Sequence, residues 1–276
     1  MTIQLITGVS TGLGRAFAEA ALNAGDTVVG TVRNRKDSNA FEALAPERAH
    51  ALVLDVTDEP AIVPAIERVE REVGAIDVLI NNAGYGHHGS VEETSMADIR
   101  RQLDVNFFGA VAMMKAVLPG MRTRRRGRIL NITSIGGIVT FPGLGIYHAS
   151  KFALEGVSAA LGMEVRGLGI FVTAIEPGSF RTDWAGRSMT RVERNLPEYE
   201  PALEPMARAL SERNGKQPGD PRKAAAAVQK ILRSPDPPVH LLLGTDAMSF
   251  AEAQLDAYRH DFDTWKHLTL STDFDT

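Results

Sequence analysis

Short apolar segments rich in β-branched residues alternate with helical patterns along most of this 276-residue chain. Most of the apolar segments lack strict alternation of polar and apolar residues, as expected for strands buried on both faces. Strand followed by helix, repeated, predicts an α/β fold: a doubly wound, mostly parallel seven-stranded sheet between two helical layers. The seven predicted strands are 2–6, 27–32, 50–54, 76–80, 128–133, 169–175 and 238–243.

Helical patterns at 13–24, 59–73 and 96–118 separate the first strands. The third opens with Ser95-x-x-Asp98, in which a hydroxyl and a carboxylate satisfy the free N–H groups of a helix start. A sheet of this kind binds its ligands outside the carboxyl ends of its strands. Candidate functional residues are therefore expected directly after the strand segments.

The chain predicts one domain over residues 1–276, since no low-complexity linker or internal repeat divides it. Residues 178–220 interrupt the alternation with four prolines among charged residues. We expect a substrate-binding lid there, because long excursions in compact domains are usually functional, and a plain surface insertion is the alternative. Tyr199, Leu203, Met206 and Leu210 are spaced for a short amphipathic helix within it, and residues 263–276 are expected to form a C-terminal tail.

Bulk composition argues against several classes of partner. The net charge of −4 gives no general attraction to nucleic acid, and the basic run 122–128 is expected to be a solvated helix end. No long apolar segment predicts a membrane span, and the absence of cysteine fits a cytoplasmic protein. The adjacent His87 and His88 lack the spacing of a helical zinc site, so no metal is expected.

Three glycines, Gly8, Gly12 and Gly14, lie between the first strand and the first helix. Small residues at that point let the backbone approach a pyrophosphate, and the helix N-terminus supplies N–H donors. The same segment also fits the G-x-S-x-G pattern of a serine hydrolase, with Ser10 as the nucleophile. Such an enzyme needs an oxyanion-hole loop from an earlier strand, and only one strand precedes Ser10, so the hydrolase remains a remote alternative.

Tyr147 and Lys151 are four residues apart, which places both side chains on one face of a helix. A phenol is ionised near pH ~10 when unperturbed, and a nearby ammonium favours the ionised form. The pair is therefore a candidate proton donor and acceptor. By itself the spacing is common, and surface packing is the alternative.

Six motifs follow one another along the chain: the glycine turn, Asn81-Asn82-Ala83-Gly84, Asn106, Ser134, Tyr147-x-x-x-Lys151 and Pro177-Gly178. With these motifs in this order, the chain resembles a short-chain dehydrogenase/reductase. The resemblance covers about residues 1–183 and its motifs are highly specific in combination. It implies a Rossmann-type domain, a nicotinamide cofactor and reversible hydride transfer between a carbonyl and a secondary alcohol. A non-catalytic NADP-binding sensor or scaffold on the same fold is the alternative.

The resemblance also assigns catalytic roles. Tyr147 would protonate the oxygen of a ketone during reduction, and Lys151 would lower the pKa of the phenol and hold the nicotinamide ribose. Ser134 would donate a hydrogen bond to the substrate oxygen, and Asn106 would hold a water that links Lys151 to solvent. Taken singly, Ser134 could be a capping residue and Asn106 could satisfy backbone groups. His148, beside Tyr147, is expected to be a packing residue.

The implied cofactor site comprises the glycine turn and the residues that follow several strands. Its members are Gly8, Ser10, Thr11, Gly12, Leu13, Gly14, Arg33, Asp55, Val56, Asn82, Ala83, Gly84, Tyr147, Lys151, Pro177, Gly178, Phe180 and Thr182. After the second strand no acidic residue is available to accept the ribose 2′-hydroxyl, whereas Arg33 could pair with a 2′-phosphate. The sequence therefore favours NADP(H) over NAD(H).

A mostly apolar and aromatic set of residues is expected to line the substrate pocket, namely Tyr85, His88, Ile138, Phe141, Leu144 and Trp184. Such a lining predicts a lipophilic ketone or secondary alcohol held by few polar contacts. The small-molecule substrate is the only partner expected besides the cofactor and further copies of the chain. By resemblance the protein would be a homodimer or homotetramer that pairs through the helices bearing Asn106 and Tyr147.

Overall fold

The computed structural model describes residues 2–274, and nine strands and nine α-helices lie within them. The strands are β1 (Ile3–Ile6), β2 (Thr27–Val32), β3 (Ala49–Val53), β4 (Val78–Asn81), β5 (Gly86–His88), β6 (Gly127–Ile132), β7 (Ile170–Pro177), β8 (Met189–Arg191) and β9 (His240–Leu243). The helices are α1 (Gly12–Asn23), α2 (Arg35–Glu42), α3 (Glu59–Glu72), α4 (Met96–Leu103), α5 (Gly109–Arg124), α6 (Gly145–Arg166), α7 (Glu200–Arg213), α8 (Pro221–Leu232) and α9 (Thr245–Leu270).

Seven strands form one parallel sheet in the order β3-β2-β1-β4-β6-β7-β9. The predicted α/β fold is confirmed, with strand ends that differ from the expected ones by up to two residues. The chain leaves β1 towards β2 and β3 and later returns to β4 on the other side of β1. This reversal opens a crevice at the carboxyl ends of β1 and β4, where such sheets bind ligands.

Two apolar layers enclose the sheet because successive strand residues point to opposite faces. On one face Leu5, Val29 and Leu79 pack with α3 and α5, and on the other Ile6, Val28 and Ile80 pack with α1 and α8. Each of these six strand residues is at most 1% exposed. The doubly buried strands therefore explain the uninterrupted apolar segments in the sequence.

The predicted helix over 96–118 is one long helix that runs to Arg124 with a π-helical turn at Asp104–Phe108. Ser95 caps its start as expected, since the Asp98 N–H donates to Ser95 Oγ at 3.1 Å. The Asp98 carboxylate accepts from the Ser95 hydroxyl at 2.6 Å, and not from the backbone N–H as in a complete capping box. By length and hydropathy alone, Met96–Arg124 could also cross a membrane. Met113, Met114 and Val117 are nevertheless buried in the core against the sheet, as in a core helix.

The segment predicted as a lid contains β8 and α7. β8 pairs in parallel with β5, which follows β4, so this segment is tied back to the carboxyl edge of the main sheet. α7 forms where the amphipathic spacing predicts a helix, and it buries Leu203. Its role as a substrate lid stays a prediction.

The C-terminal segment differs from the expected tail. Residues 263–270 are the last turns of α9, and every side chain in 263–274 is exposed. Residues 275 and 276, also part of the predicted tail, lie outside the described residues. The helix forms because apolar residues recur at helical spacing, as at Ala247, Ala251, Leu255, Tyr258 and Phe262, and no proline or glycine interrupts Thr245–Leu270.

Candidate active site

The glycine turn leaves the start of α1 open to an anion. Gly8 and Gly12 have φ of 73° and 64°, a backbone conformation that favours glycine. Thr11 precedes the helix without a side-chain hydrogen bond to it, and no acidic residue lies in the first turn. The free N–H groups and the helix dipole therefore suit a phosphate group. Thr182 lies close to Gly12, as expected if both frame the same ligand.

Asn82 and Thr7 hold the shape of this turn. The Asn82 side-chain amide donates to the carbonyls of Thr7 and Gly8 at 2.9 and 3.1 Å. The Thr7 hydroxyl accepts hydrogen bonds from the backbone N–H groups of Asn82 and Ala83, both at 2.9 Å. The predicted cofactor residue Asn82 therefore positions the glycine turn with its side chain, which the sequence did not indicate.

Asn106 occupies the centre of the π-helical turn and is 1% exposed. Its Oδ1 accepts from the Tyr85 N–H at 3.0 Å, and its Nδ2 donates to the Tyr85 carbonyl and to Ser150 Oγ, both at 3.1 Å. Turns of this kind occur frequently at functional sites. The side chain thus fixes the loop after Gly84 against α6. That Asn106 also holds a water beside Lys151 stays a prediction.

The structure brings Ser134, Tyr147 and Lys151 together at the carboxyl end of β6. The Ser134 hydroxyl accepts from the Gly136 N–H at 2.9 Å and is close enough to Tyr147 to lower the pKa of the phenol. Lys151 Nζ donates to the Ile132 carbonyl at 2.8 Å and lies 5.9 Å from the centre of the Tyr147 ring. Tyr147 and Lys151 of α6 and Ser134 of the loop after β6 therefore lie around one position at this edge of the sheet.

Burial acts in opposite directions on the phenol and the ammonium. Tyr147 and Lys151 are 6% and 5% exposed. Burial raises the pKa of Tyr147 to about 12, against the smaller effect of Ser134, and lowers the pKa of Lys151 to about 8. Both changes follow from the cost of a charge away from water. The protein alone therefore keeps the phenol neutral and makes the ammonium easier to deprotonate.

A second titratable cluster lies one helical turn beyond Lys151. The carboxylates of Glu155 and Glu176 are buried, and His240 Nδ1 lies 3.4 Å from the first and 2.7 Å from the second. Burial raises the pKa of Glu155 to about 7 and also raises that of Glu176. In turn, Glu155 raises the pKa of Lys151. The carboxylate and imidazole atoms of these three residues that could bind a metal lie within 4.8 Å of one another. The expectation that the protein binds no metal stays a prediction.

The residues predicted to face the adenosine end lie at the edge of the crevice. Arg33 and Asp55 are both exposed at the ends of β2 and β3, and Val56 is buried beside them. The Asp55 carboxylate accepts from the Thr57 N–H and hydroxyl, and these bonds together with Arg33 lower its pKa. Ser10 and Thr11 are exposed in the turn, and Leu13 is half-buried.

The segment after β7 reaches the glycine turn from the other side. Pro177 ends the strand, and the Ser179 N–H donates to the Asp246 carboxylate at 2.8 Å. A side chain at Gly178 would meet the same carboxylate. Phe180 packs beside Gly219, which pairs with it as an isolated bridge. Asp246 was missed in the sequence because it lies 67 residues beyond its partner.

Among the predicted pocket residues, Trp184 packs against Tyr147. Its ring centre is 5.1 Å from that of Tyr147, at an angle of 59° between the planes. Trp184 also packs against Gly86, where a side chain would collide with the indole. The lid segment therefore covers the phenol in this structure.

The other predicted pocket residues divide into two groups. His88 is buried with Nε2 beside Gly143 and Leu203, and Tyr85 is half-buried on the loop that Asn106 holds. Ile138 and Phe141 pack against Ala247 and Ala251 of α9, and Leu144 is buried. The structure thus places His88 beside the predicted lid and Ile138 and Phe141 beside α9. Contact of the predicted pocket residues with substrate stays a prediction.

His148 has a more specific position than the expected packing. It is 2% exposed, its Nδ1 lies 2.8 Å from the Gly136 carbonyl, and its Nε2 accepts from the Phe141 N–H at 3.0 Å. These two bonds assign the neutral tautomer with the proton on Nδ1. Burial lowers the pKa of His148, which agrees with a neutral ring. The side chain therefore fixes the 136–141 loop between Ser134 and Tyr147.

Comparison with known proteins agrees with this geometry. Residues 2–192 match the short chain dehydrogenase family. A short-chain dehydrogenase from Streptomyces avermitilis has 40% identical residues and a TM-score of 0.93, with 99% of this chain and 98% of that chain covered. The 3-ketodihydrosphingosine reductase of Bacteroides thetaiotaomicron is 39% identical over 88% of this chain and 87% of its own length. A closed serine dehydrogenase complexed with NADP+ is 26% identical, with a TM-score of 0.75 and coverage of 88% and 94%.

The chain belongs to the short-chain dehydrogenase family. It is an NAD(P)-dependent oxidoreductase, as the resemblance of its motifs implied. The crevice of this dehydrogenase fits a dinucleotide: the open helix start accepts phosphate, and exposed Gly84 leaves space beside Lys151 Nζ. When bound, the nicotinamide supplies or accepts the hydride.

Replacement of Gly14 by alanine should damage the dehydrogenase at its glycine turn. A Cβ at this position would collide with the Asn82 amide and the Gly8 carbonyl, which are joined by the hydrogen bond described above. We expect loss of most cofactor binding in titration calorimetry and a lower melting temperature. Gly156→Ala is the matched control on α6, where a Cβ meets no atom within 4 Å. Gly156→Ala should be stabilised by about 0.5–1 kcal/mol. Normal cofactor affinity in Gly14→Ala would contradict the role assigned to the hydrogen bonds between Asn82 and the glycine turn.

Replacement of Glu155 by glutamine should change how stability depends on pH. Because burial raises the pKa of Glu155 from 4.5 to about 7, the folded protein binds more protons than the unfolded chain between these values. Wild-type stability is therefore lost as pH rises through that window, and Glu155→Gln escapes this loss. From pH 5 to pH 8 the variant should gain roughly 1–3 kcal/mol relative to wild type in urea unfolding. Glu164→Gln, an exposed carboxylate on α6, is the control, and parallel curves for both variants would refute the expectation.

Proposed function

We propose that the protein is an NADP(H)-dependent reductase of a lipophilic ketone, with Tyr147 as the general acid. The observation that carries the proposal is the assembly of Ser134, Tyr147 and Lys151 beneath an aromatic lid residue, beside an open helix start. The catalytic role of these residues is supported by their contacts and by membership of the family. A sensor or scaffold would not need them.

In the proposed reaction the ketone oxygen lies between the Tyr147 and Ser134 hydroxyls. As hydride reaches the carbonyl carbon, negative charge develops on that oxygen, and the two hydroxyl groups stabilise it by donating hydrogen bonds. The Tyr147 proton then transfers to the oxygen, which leaves an alcohol and a phenolate. The ammonium of Lys151 stabilises the phenolate by charge and offers donors to the cofactor ribose. A water held near Asn106 is proposed to return the proton to Tyr147.

The preference for NADP(H) is proposed from the end of β2. Arg33 is exposed there, no acidic residue precedes it in β2, and its charge reaches Asp55 across the crevice edge. An arginine fork suits the oxygens of a 2′-phosphate, whereas an acid at this position would favour the free hydroxyl. The serine dehydrogenase relative was solved with NADP+. Exposed Arg35 and Lys36 add further positive charge nearby.

The lipophilic substrate is proposed from the lining of the site. Trp184 covers the phenol, and Leu144 and Leu203 are buried around the same loop. Few polar groups converge there, so shape and apolar contact would determine affinity. The Bacteroides relative, whose name describes reduction of a 3-ketodihydrosphingosine, is consistent with an apolar ketone. A cytoplasmic location, no membrane or nucleic-acid partner and a homo-oligomeric state belong to the same proposal.

Arg33→Ala tests the cofactor preference. Loss of a charge-assisted hydrogen bond costs about 1.5–3 kcal/mol, so the Kd for NADPH should rise roughly 10- to 100-fold. The Kd for NADH should remain within about twofold, because NADH lacks the 2′-phosphate. Arg71→Ala is the control, since exposed Arg71 is in the last turn of α3, which leads into the amino end of β4, whereas Arg33 follows the carboxyl end of β2. Equal effects on both nucleotides, or tighter binding of NADH by wild type, would refute the preference.

Tyr147→Phe tests the catalytic proposal. Removal of the phenolic hydroxyl should lower kcat/KM for NADPH oxidation with a panel of apolar ketones by about 10²- to 10⁴-fold. The Kd for NADPH should be nearly unchanged, because the ring remains in place. Tyr258→Phe, an exposed tyrosine on α9, should have wild-type activity. Wild-type turnover in Tyr147→Phe would exclude this mechanism, and binding of NADPH without turnover of any ketone in wild type would favour the sensor.

A further inference from the structure

The C-terminal part of α9 extends away from the rest of the molecule. Of its residues, Ala247 and Ala251 are buried, and from Glu252 onwards each side chain is exposed except half-buried Gln254. Residues 252–270 span roughly 28 Å. Helices of this length are marginal in water without tertiary packing. This segment therefore needs a surface to cover it.

One face of the segment is apolar, and we name its four residues, Leu255, Tyr258, Phe262 and Trp265, the α9 seam. They are 60%, 40%, 70% and 61% exposed. Their spacing of three, four and three residues matches the apolar positions of a heptad, which is typical of a helix that packs against another helix. Polar residues occupy the opposite face, namely Asp256, His260, Asp263 and His267. The segment is thus amphipathic although nothing in residues 2–274 covers it.

The seam continues the face by which α9 docks on its own subunit. Ala247 and Ala251 lie on the same stripe, eight and four residues before Leu255, and pack against Ile135 and Val139. This face of α9 is therefore buried against its own subunit at Ala247 and Ala251 and exposed to solvent from Leu255 onwards. A partner helix can reach only the bare end, because the body of the subunit occupies the space beside Ala247 and Ala251.

We propose that the α9 seam pairs with the same seam of a second copy of the chain, as an antiparallel pair of helices related by a twofold axis. In a parallel pair the second helix would run back along the stripe into the body of the first subunit. An antiparallel pair overlaps only at the free ends, and each body lies beyond the end of the other helix. Leu255 of one copy then lies opposite Trp265 of the other, and Tyr258 lies opposite Phe262.

Charge and area agree with this arrangement. Glu252 and Lys266 flank the seam on the same side, and antiparallel pairing brings Glu252 of each copy beside Lys266 of the other. Arg259, between them, already has Asp256 of its own helix at 3.9 Å. Burial of three aromatic rings and a leucine from each copy removes on the order of 1,000 Å² from water, near the lower limit for a specific interface. The pairing is therefore expected to depend on concentration.

Light scattering with size-exclusion chromatography tests whether the seam joins subunits. The double variant Phe262→Ser, Trp265→Ser should have half the particle mass of the wild-type protein. Its near-ultraviolet circular dichroism and its turnover of the best available ketone should be retained. Exposed side chains are changed, so the core is expected to fold. His260→Ser with His267→Ser, on the opposite face of the same segment, should keep the wild-type mass. An unchanged mass in the seam variant overturns the proposal.

Cysteine cross-linking tests the orientation, because the chain contains no cysteine. A mixture of Leu255→Cys and Trp265→Cys proteins under mild oxidation should give a disulfide-linked heterodimer as the main product, and each variant alone should give little. His260→Cys is the control and should not cross-link. Strong cross-linking of Leu255→Cys alone would indicate a parallel pair and contradict the proposal. Seam-dependent binding of wild type to phosphatidylcholine vesicles, with no change of mass in the seam variant, would assign the face to a membrane instead.

Discussion

Asparagine side chains hold the carboxyl edge of the sheet in the shape that the site requires. Asn82 joins β4 to the glycine turn after β1, and Asn81 donates across to Asn131 of β6 at 2.9 Å. Asn131 donates in turn to Ser158 of α6 at 2.8 Å, and Asn106 holds the loop after β4. An amide can donate and accept at once, so one side chain can connect three segments. Because these amides are largely buried, loss of either partner of a bond would leave a polar group without water.

Much of the fold was predictable from local pattern. Strands β2, β4, β6 and β7 are almost fully buried segments, so their positions follow from hydrophobicity. The edge strands β3 and β9 are partly exposed, and their place in the alternation of strand and helix predicts them instead. β5 and β8 were not predicted, since each has three residues and forms only through pairing with the other, about a hundred positions away. The end of α9 was mistaken for a tail because exposed helix and exposed coil have similar composition, although the regular spacing of Leu255, Tyr258 and Phe262 could have indicated the helix.

The site was predictable to the extent that its chemistry resides in motifs. Tyr147 and Lys151 share a helix, so their proximity is a local property. The roles of His148, Asp246 and Asn131 depend on partners from other segments, and no spacing in the sequence indicates them. The same limit applies to electrostatics. The opposite effects of burial on the pKa of Tyr147 and of Lys151 depend on depth in the folded protein, and so does the influence of Glu155 on the lysine.

The position of Trp184 against Tyr147 has a consequence for substrate selection. In the proposed reaction, a substrate that approaches Tyr147 from the side of the indole must displace this ring, which belongs to a segment anchored by the pairing of β5 with β8. The free energy needed to displace the indole weakens the binding free energy of every substrate by the same amount. Molecules with a flat or extended apolar surface recover part of it by replacing the contact that the indole gives up. Small polar carbonyl compounds would recover little, so the contact between Trp184 and Tyr147 would favour apolar substrates before any chemistry takes place.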